Sequence, residues 1–239
     1  MKDGTVLPKD AFNSGNLPAD VQKDCLGVVF WVGEKNNGFA SYHWTYENKN
    51  GDLLLMRHHP ECVHGIVVAL TDAASGKTEW ASTDTGSTYT WLESYAATRQ
   101  EKELRLSSSS SFGYNMSRCI QWYRDYGGQR TEAYDTIEAF AKATPTPAGC
   151  SGWYFPGDYE MFVMARGTLN YSEDNGMSTI LNTQFDKACG SRFNTDDYYW
   201  SSTDSDLSPR KGYCMRFSDN RRNMNDKQNT YYVRAVLAF

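Results

Sequence analysis

Asp197-Tyr-Tyr-Trp-Ser-Ser-Thr203, Gly212-Tyr-Cys-Met-Arg-Phe-Ser218 and Thr230-Tyr-Tyr-Val-Arg-Ala-Val-Leu-Ala-Phe239 make up much of the last forty residues. Each is a short run rich in aromatic or β-branched residues, and each is bounded by Asp, Ser, Gly or Asn, the pattern of strands joined by polar loops. An antiparallel sheet closing the domain is the expected result. Within it, Trp200 should anchor the core and Arg234 should pair with a carboxylate, because a large indole and a forked guanidinium stabilise a sheet in those ways.

Working outward, the segment from Asn175 to Ala188 predicts a helix that buries Met177, Ile180, Leu181 and Phe185, with Gly190 as its stop. Gly152-Trp-Tyr-Phe-Pro156 predicts a short strand turning into a helix. Pro156 stands near the first helical position, and Asp158 and Glu160 occupy the first turn, where the macrodipole favours carboxylates. Met161, Phe162, Met164, Ala165 and Leu169 supply the apolar side of that helix. Residues 131 to 143 place Tyr134, Ile137, Phe140 and Ala141 on one helical face, with Thr131 as cap and Pro145 and Pro147 beyond the end.

The first half is less regular. Leu26-Gly-Val-Val-Phe-Trp-Val32 and His64-Gly-Ile-Val-Val-Ala-Leu70 are short apolar runs and predict buried strands. Residues 1 to 24 read as an irregular lead-in, Gly33 to Asp52 as a loop or hairpin insertion, and Ser107 to Ser111 as a loop. Trp80, Trp91, Phe112 and Trp122 lie among Ser, Thr and Gly with no sustained period. The fold class implied is α+β, with mixed or antiparallel sheets flanked by two or three helices.

The order of Gly27-Val-Val-Phe-Trp-Val32, His64-Gly-Ile-Val-Val-Ala-Leu70, Gly152-Trp-Tyr-Phe-Pro156, Tyr199-Trp-Ser-Ser-Thr203 and Tyr231-Tyr-Val-Arg-Ala-Val236 resembles the DUF1566 (Fib_succ_major-like) surface proteins of gut Bacteroidales. The resemblance covers residues 25 to 239 and implies a C-type-lectin-like domain at the cell surface or secreted. The chain also resembles variable proteins diversified by retroelements, which display hypervariable residues on carboxy-terminal strands and loops. Under that resemblance the variable set is Arg216, Asp219, Arg221, Asn223, Met224, Asn225, Asp226, Gln228 and Asn229, between Phe217 and Tyr231-Tyr232. Neighbouring contacts are expected from Tyr198, Asp204, Asp206, Arg210 and Lys211, because loops on a rigid scaffold carry function and Tyr and Arg make strong contacts. A solvated turn is the plain alternative for a run rich in Asn, Asp and Ser.

Composition limits the partners. The formal net charge is -5 with a pI near 5.4, which gives no basic field for nucleic acid. No apolar run approaches the ~20 residues of a membrane span, and Met1-Lys2-Asp3-Gly4 does not open a signal peptide. The chain is then expected to be either cytosolic or to begin after a removed export signal. The six cysteines contain no C-x-x-C pair, so up to three disulfides and buried free thiols both remain open.

No cofactor is expected. His58-His59-Pro60-Glu61-Cys62-Val63-His64 holds zinc-type ligands, but adjacent histidines on a strand or turn point apart and no second ligand pair matches. Sugar-binding lectins of the resembled fold use Glu-Pro-Asn or Gln-Pro-Asp with Trp-Asn-Asp, and none of these motifs is present, so calcium-dependent sugar binding is not carried over. The resembled fold also occurs in formylglycine-generating enzymes, but Cys189 and Cys214 do not match their reactive cysteine pair. No other catalytic motif appears. The expectation is a non-enzymatic adhesin or display protein that binds an unidentified protein or glycan. The alternative is a structural or assembly subunit of a surface appendage, with the same surface packed against a sister chain.

Overall fold

The two β-branched runs form the strands expected of them. In the computed structural model, which describes residues 1–12, 15–32, 52–82, 88, 91, 112–127, 130–205 and 208–239, β1 (Gly27–Val32) pairs antiparallel with β2 (Gly65–Ala69). The insertion expected after Val32 and the loop at Ser107–Ser111 lie outside the described residues. α1 (Ala19–Gln22) is a single turn in the lead-in, and α2 (Leu53–His58) precedes β2. The second free side of β2 is taken by β8 (Val236–Ala238), with Ile66 opposite Ala238 and Val68 opposite Val236. The last predicted strand is thus divided: β7 (Thr230–Tyr231) pairs with β3 (Thr78–Glu79), and only β8 joins the first sheet.

Among the described residues, four helices of nine or more residues flank the sheets, more than the two or three expected: α3 (Gly113–Gly127), α4 (Glu132–Ala143), α5 (Asp158–Arg166) and α6 (Met177–Lys187). α3 falls in the stretch that reads as aperiodic. Thr131 occupies the position before α4, but its side chain makes no capping bond, and the first-turn carboxylate of Glu132 instead accepts from Ser82 N at 2.8 Å. Pro156 lies outside α5, whose preceding residue is Gly157; the Pro156 carbonyl accepts from Ser202 N at 2.8 Å and ties the turn to a strand. Ile180 is 48% exposed, contrary to expectation, because its side of α6 meets the amino-terminal segment around Val6 and Leu7 across an apolar cavity of about 410 Å³.

The third sheet consists of β4 (Tyr199–Asp204), β5 (Lys211–Arg216) and β6 (Arg221–Asp226), in that order. One core cluster joins Phe162, Phe185, Phe193, Tyr199 and Phe217 to the first sheet, and a second gathers Trp80, Ile120, Trp153 and Trp200. Trp200 is fully buried and donates from its indole to Thr78 O at 3.1 Å. Arg234, 1% exposed, donates to Asp72 at 2.7 Å and to Ser191 O at 2.9 Å while facing the Phe185 and Phe193 rings. Both residues play the structural parts expected of them. All six cysteines are free thiols, and no helix among the described residues is long and apolar enough to cross a membrane.

Two helix starts meet at one buried carboxylate. Glu160 accepts from Gly157 N at 2.9 Å, at the start of α5, and from Gly113 N at 3.1 Å, at the start of α3. A Cβ on Gly113 would stand 2.5 Å from Gly157 N, so the approach requires glycine. Burial dominates the electrostatics: it and the neighbouring Asp52 charge push the Glu160 carboxyl up to about 8, despite the N–H donors that favour ionisation. Asp52, which accepts from Leu55 N and Asn115 N at 3.0 Å each, is pushed up to about 6 by the same desolvation.

Candidate functional site

The segment expected to be a polar loop, Arg221 to Asp226, is strand β6, and it pairs residue for residue with β5. Six successive pairs run from Lys211 opposite Asp226 to Arg216 opposite Arg221, closed by a turn in which Asn220 adopts φ 51°, a left-handed conformation that Asn tolerates. Side chains alternate across a strand, and cross-strand partners share a face. Tyr213, Met215, Arg222 and Met224 therefore project to one side, and Cys214, Arg216, Arg221, Asn223 and Asn225 to the other.

On the first side, β6 and the end of α5 enclose a cleft of about 560 Å³ lined by Phe162, Arg166, Tyr171, Tyr213, Arg222 and Met224. Asp219, Arg221 and Asn223 contribute to it from the turn and the free edge of β6. Its walls are fixed by arginines. Arg222 donates to the buried Asp158 at 2.8 Å and lies 4.1 Å from the Tyr213 ring centroid. Burial raises the Asp158 carboxyl, and the Arg222 charge opposes that rise. Arg166 donates to the Tyr171 carbonyl at 3.0 Å and reaches the Asn220 carbonyl at 3.4 Å. Tyr171 rests on Phe162 at 4.5 Å between centroids and remains 59% exposed.

The opposite side is tied to the domain. Arg216 pairs with Asp219 and lies 5.3 Å from the Tyr198 ring centroid. Asn225 donates to the Tyr231 hydroxyl at 2.8 Å and to the Cys214 sulfur at 3.4 Å, and Asn223 donates to Asn225 at 3.3 Å. Asn229 donates to the Tyr231 hydroxyl at 3.3 Å, and Gln228 to Ser82 O at 3.2 Å. These amides brace the hairpin as well as facing outward.

The expected contact set therefore divides. Tyr198, Arg216, Asp219, Arg221, Asn223 and Asn225 come together, Met224 enters the cleft, and Arg210, Asp226, Gln228 and Asn229 are exposed towards the other end of the hairpin. Lys211 is half-buried opposite Asp226. Asp204 departs from expectation: it is 1% exposed and holds the buried Lys227 ammonium at 3.1 Å, so it belongs to the interior. Asp206 lies outside the described residues. Tyr171, Tyr213 and Arg222 were missed. The period-two placement of Tyr213 and Met215 in β5 is a signal that could have revealed Tyr213, whereas no sequence pattern marks Arg222.

No family model matches the chain. At 27% identity over 250 residues, it is similar to a protein of Bacteroides ovatus named "Putative fimbrium tip subunit Fim1C"; the match covers 99% of the chain and 44% of that protein. The structure is also similar to the crystal structure of a fimbrial protein from Bacteroides ovatus, with a TM-score of 0.69 and 24% identity, over 93% of this chain and 45% of that one. The chain spans less than half the length of either. Its mixed α+β architecture of antiparallel sheets and helices is the fold of part of a Bacteroides ovatus fimbrial protein.

Proposed function

We propose that the chain is a domain of a subunit of a fimbrial surface appendage, held there by assembly with other subunits. The observation that carries this reading is the similarity to a protein named as a fimbrium tip subunit along 99% of the chain. Surface location and association with other subunits follow from the same reading. Shearing appendages from cells that encode the chain and quantifying their proteins by mass spectrometry tests it. The chain should be in the sheared fraction, at far below the abundance of the main shaft protein if it sits at a tip. Its absence from that fraction would sink the proposal.

A second reading, ligand recognition by the same domain, is favoured by the cleft beside β6. An exposed aromatic face, Tyr171, stands there next to Arg221 on an edge strand, and exposed aromatic and arginine side chains are effective contact groups. The finer expectations of a C-type-lectin-like scaffold and a diversified surface rest on the order of the sequence motifs and on the Asn-rich character of β6. Binding of the purified domain to glycan and host-protein arrays should drop at least tenfold in Tyr171→Ala and Arg221→Ala. Unchanged binding in both would remove the cleft as the contact surface.

A further inference from the structure

α2 ends at His58, and the chain then turns through His59-Pro60-Glu61 into Cys62. The turn gathers His59, Glu61 and Cys62, so that one imidazole nitrogen, one carboxylate oxygen and the thiol all lie within 4.8 Å of one another. The two adjacent histidines do not share this set. His58 instead points Nδ1 at the Tyr114 hydroxyl, 3.1 Å away, and the partners of His59 are a carboxylate and a thiol that follow it in the same turn.

The separation of His59 from Glu61 suits a shared cation. His59 Nδ1 and Glu61 Oε1 are 3.4 Å apart, longer than the ~2.7–2.9 Å of a charge-assisted hydrogen bond. Two ligands bonded at about 2.0–2.2 Å to one tetrahedral zinc stand about 3.4 Å from each other. The far nitrogen, His59 Nε2, lies 3.1 Å from the Tyr114 hydroxyl, which is shared with His58. When the single hydroxyl proton is donated to His58, His59 Nε2–H donates to the tyrosine oxygen. Nδ1 then presents its lone pair to Glu61. A hydrogen bond at the remote nitrogen is how ligating imidazoles are oriented.

Access and chemistry agree. The His59 and Glu61 side chains are 25% and 49% exposed, so an ion can reach them from solvent. Cys62 is buried behind them, and its thiol donates to Gly149 O at 3.3 Å and to Ala238 O at 3.4 Å. One thiol, one imidazole and one carboxylate suit zinc-class ions better than calcium or magnesium, which take oxygen ligands. We propose that His59 Nδ1, Glu61 and Cys62 form a site for a zinc-class divalent cation, with a fourth position left for water or another ligand. On binding, the Cys62 S–H bond breaks, its electron pair goes to the metal, and the proton leaves to solvent. The ion would close the turn that follows α2 by joining its three side chains, and the thiol would give up the hydrogen bonds it donates to Gly149 O and Ala238 O.

Calorimetric titration of untagged, reduced protein with zinc chloride should show one equivalent bound. His59→Gln and Glu61→Gln, both at partly exposed positions, should each weaken binding at least tenfold. Cobalt(II) should give a thiolate-to-metal charge-transfer band that disappears in Cys62→Ser; if that variant does not fold, the other two carry the test. Absence of stoichiometric binding, or an affinity unchanged from the parent in both surface variants, would overturn the site. So would a Cys62–Cys150 disulfide found by peptide mapping of the protein from its native compartment.

Discussion

Asp204→Ala is expected to cost about 3–5 kcal/mol of stability, the range for breaking a buried ion pair from one side. At ~2–4 °C of Tm per kcal/mol for a domain of this size, the melting point should fall by roughly 10 °C. The carboxylate is fully buried, accepts from Thr88 N at 2.7 Å and from Lys227 Nζ at 3.1 Å, and the ammonium lies 4.3 Å from the Trp80 ring centroid. Removing Asp204 leaves the ammonium in an aromatic interior with its carboxylate gone. Lys227→Met should be similarly damaging, because it leaves a buried carboxylate. The double variant Asp204→Leu with Lys227→Met removes both charges together and should recover most of the loss. Thermal denaturation of the three proteins decides: a double variant as unstable as the sum of the singles would refute the account, as would an Asp204→Ala protein that melts like the parent.

A second large effect is expected from pH. The Glu160 carboxyl is raised to about 8 in the folded protein, against a value of 4.5 for an unperturbed glutamate. The folded state then holds a proton that the unfolded chain gives up. The associated stability is fully present below about pH 4.5 and is lost as pH rises towards and through 8. Asp52, raised to about 6, acts in the same direction over a lower window. At 1.36 kcal/mol per pKa unit, the Glu160 contribution is on the order of 5 kcal/mol between those limits. Melting temperature should therefore decline from pH 6 to pH 8.5. In Glu160→Gln, whose amide oxygen can still accept from Gly157 N and Gly113 N, the decline should flatten. Parallel profiles for the two proteins would show that Glu160 is not the titrating group.

The parts of the fold that could be read from the sequence were those whose pattern has one physical solution. β1 and β2 are short β-branched runs, β2 largely buried and β1 half-buried, and α4 and α6 carry apolar residues at helical spacing with terminators beyond them. α3 was hidden although Met116, Cys119, Ile120 and Tyr123, all buried, keep the spacing of one helical face. Its Ser- and Gly-rich approach masked that face. β6 failed for a different reason. It is an edge strand, exposed or half-exposed along its whole length, so no alternation of apolar and polar residues marks it, and its pairing with β5 alone makes it a strand.

The site divided along similar lines. The hairpin could be located from its aromatic flanks, Tyr198 and Tyr231, but its two faces could not be separated while Arg221 to Asp226 read as a loop. Tyr171 lies far from the hairpin in sequence and reaches the cleft only because α5 packs against β5. Asp204 looks like any surface aspartate in the sequence, because its partner Lys227 lies twenty-three residues away in the segment taken for a solvated turn.

The pairing of β2 with β8 bears on how the molecule is made. Ile66, Val67 and Val68 find their partners in Ala238, Leu237 and Val236, so one whole side of the first sheet remains open until more than 160 further residues have been synthesised. Contacts of such long sequence separation slow folding. A nascent chain cannot complete this sheet before β8 has left the ribosome, and the Trp80 interior, which takes in Val233, Ala235 and Leu237, waits for the same segment.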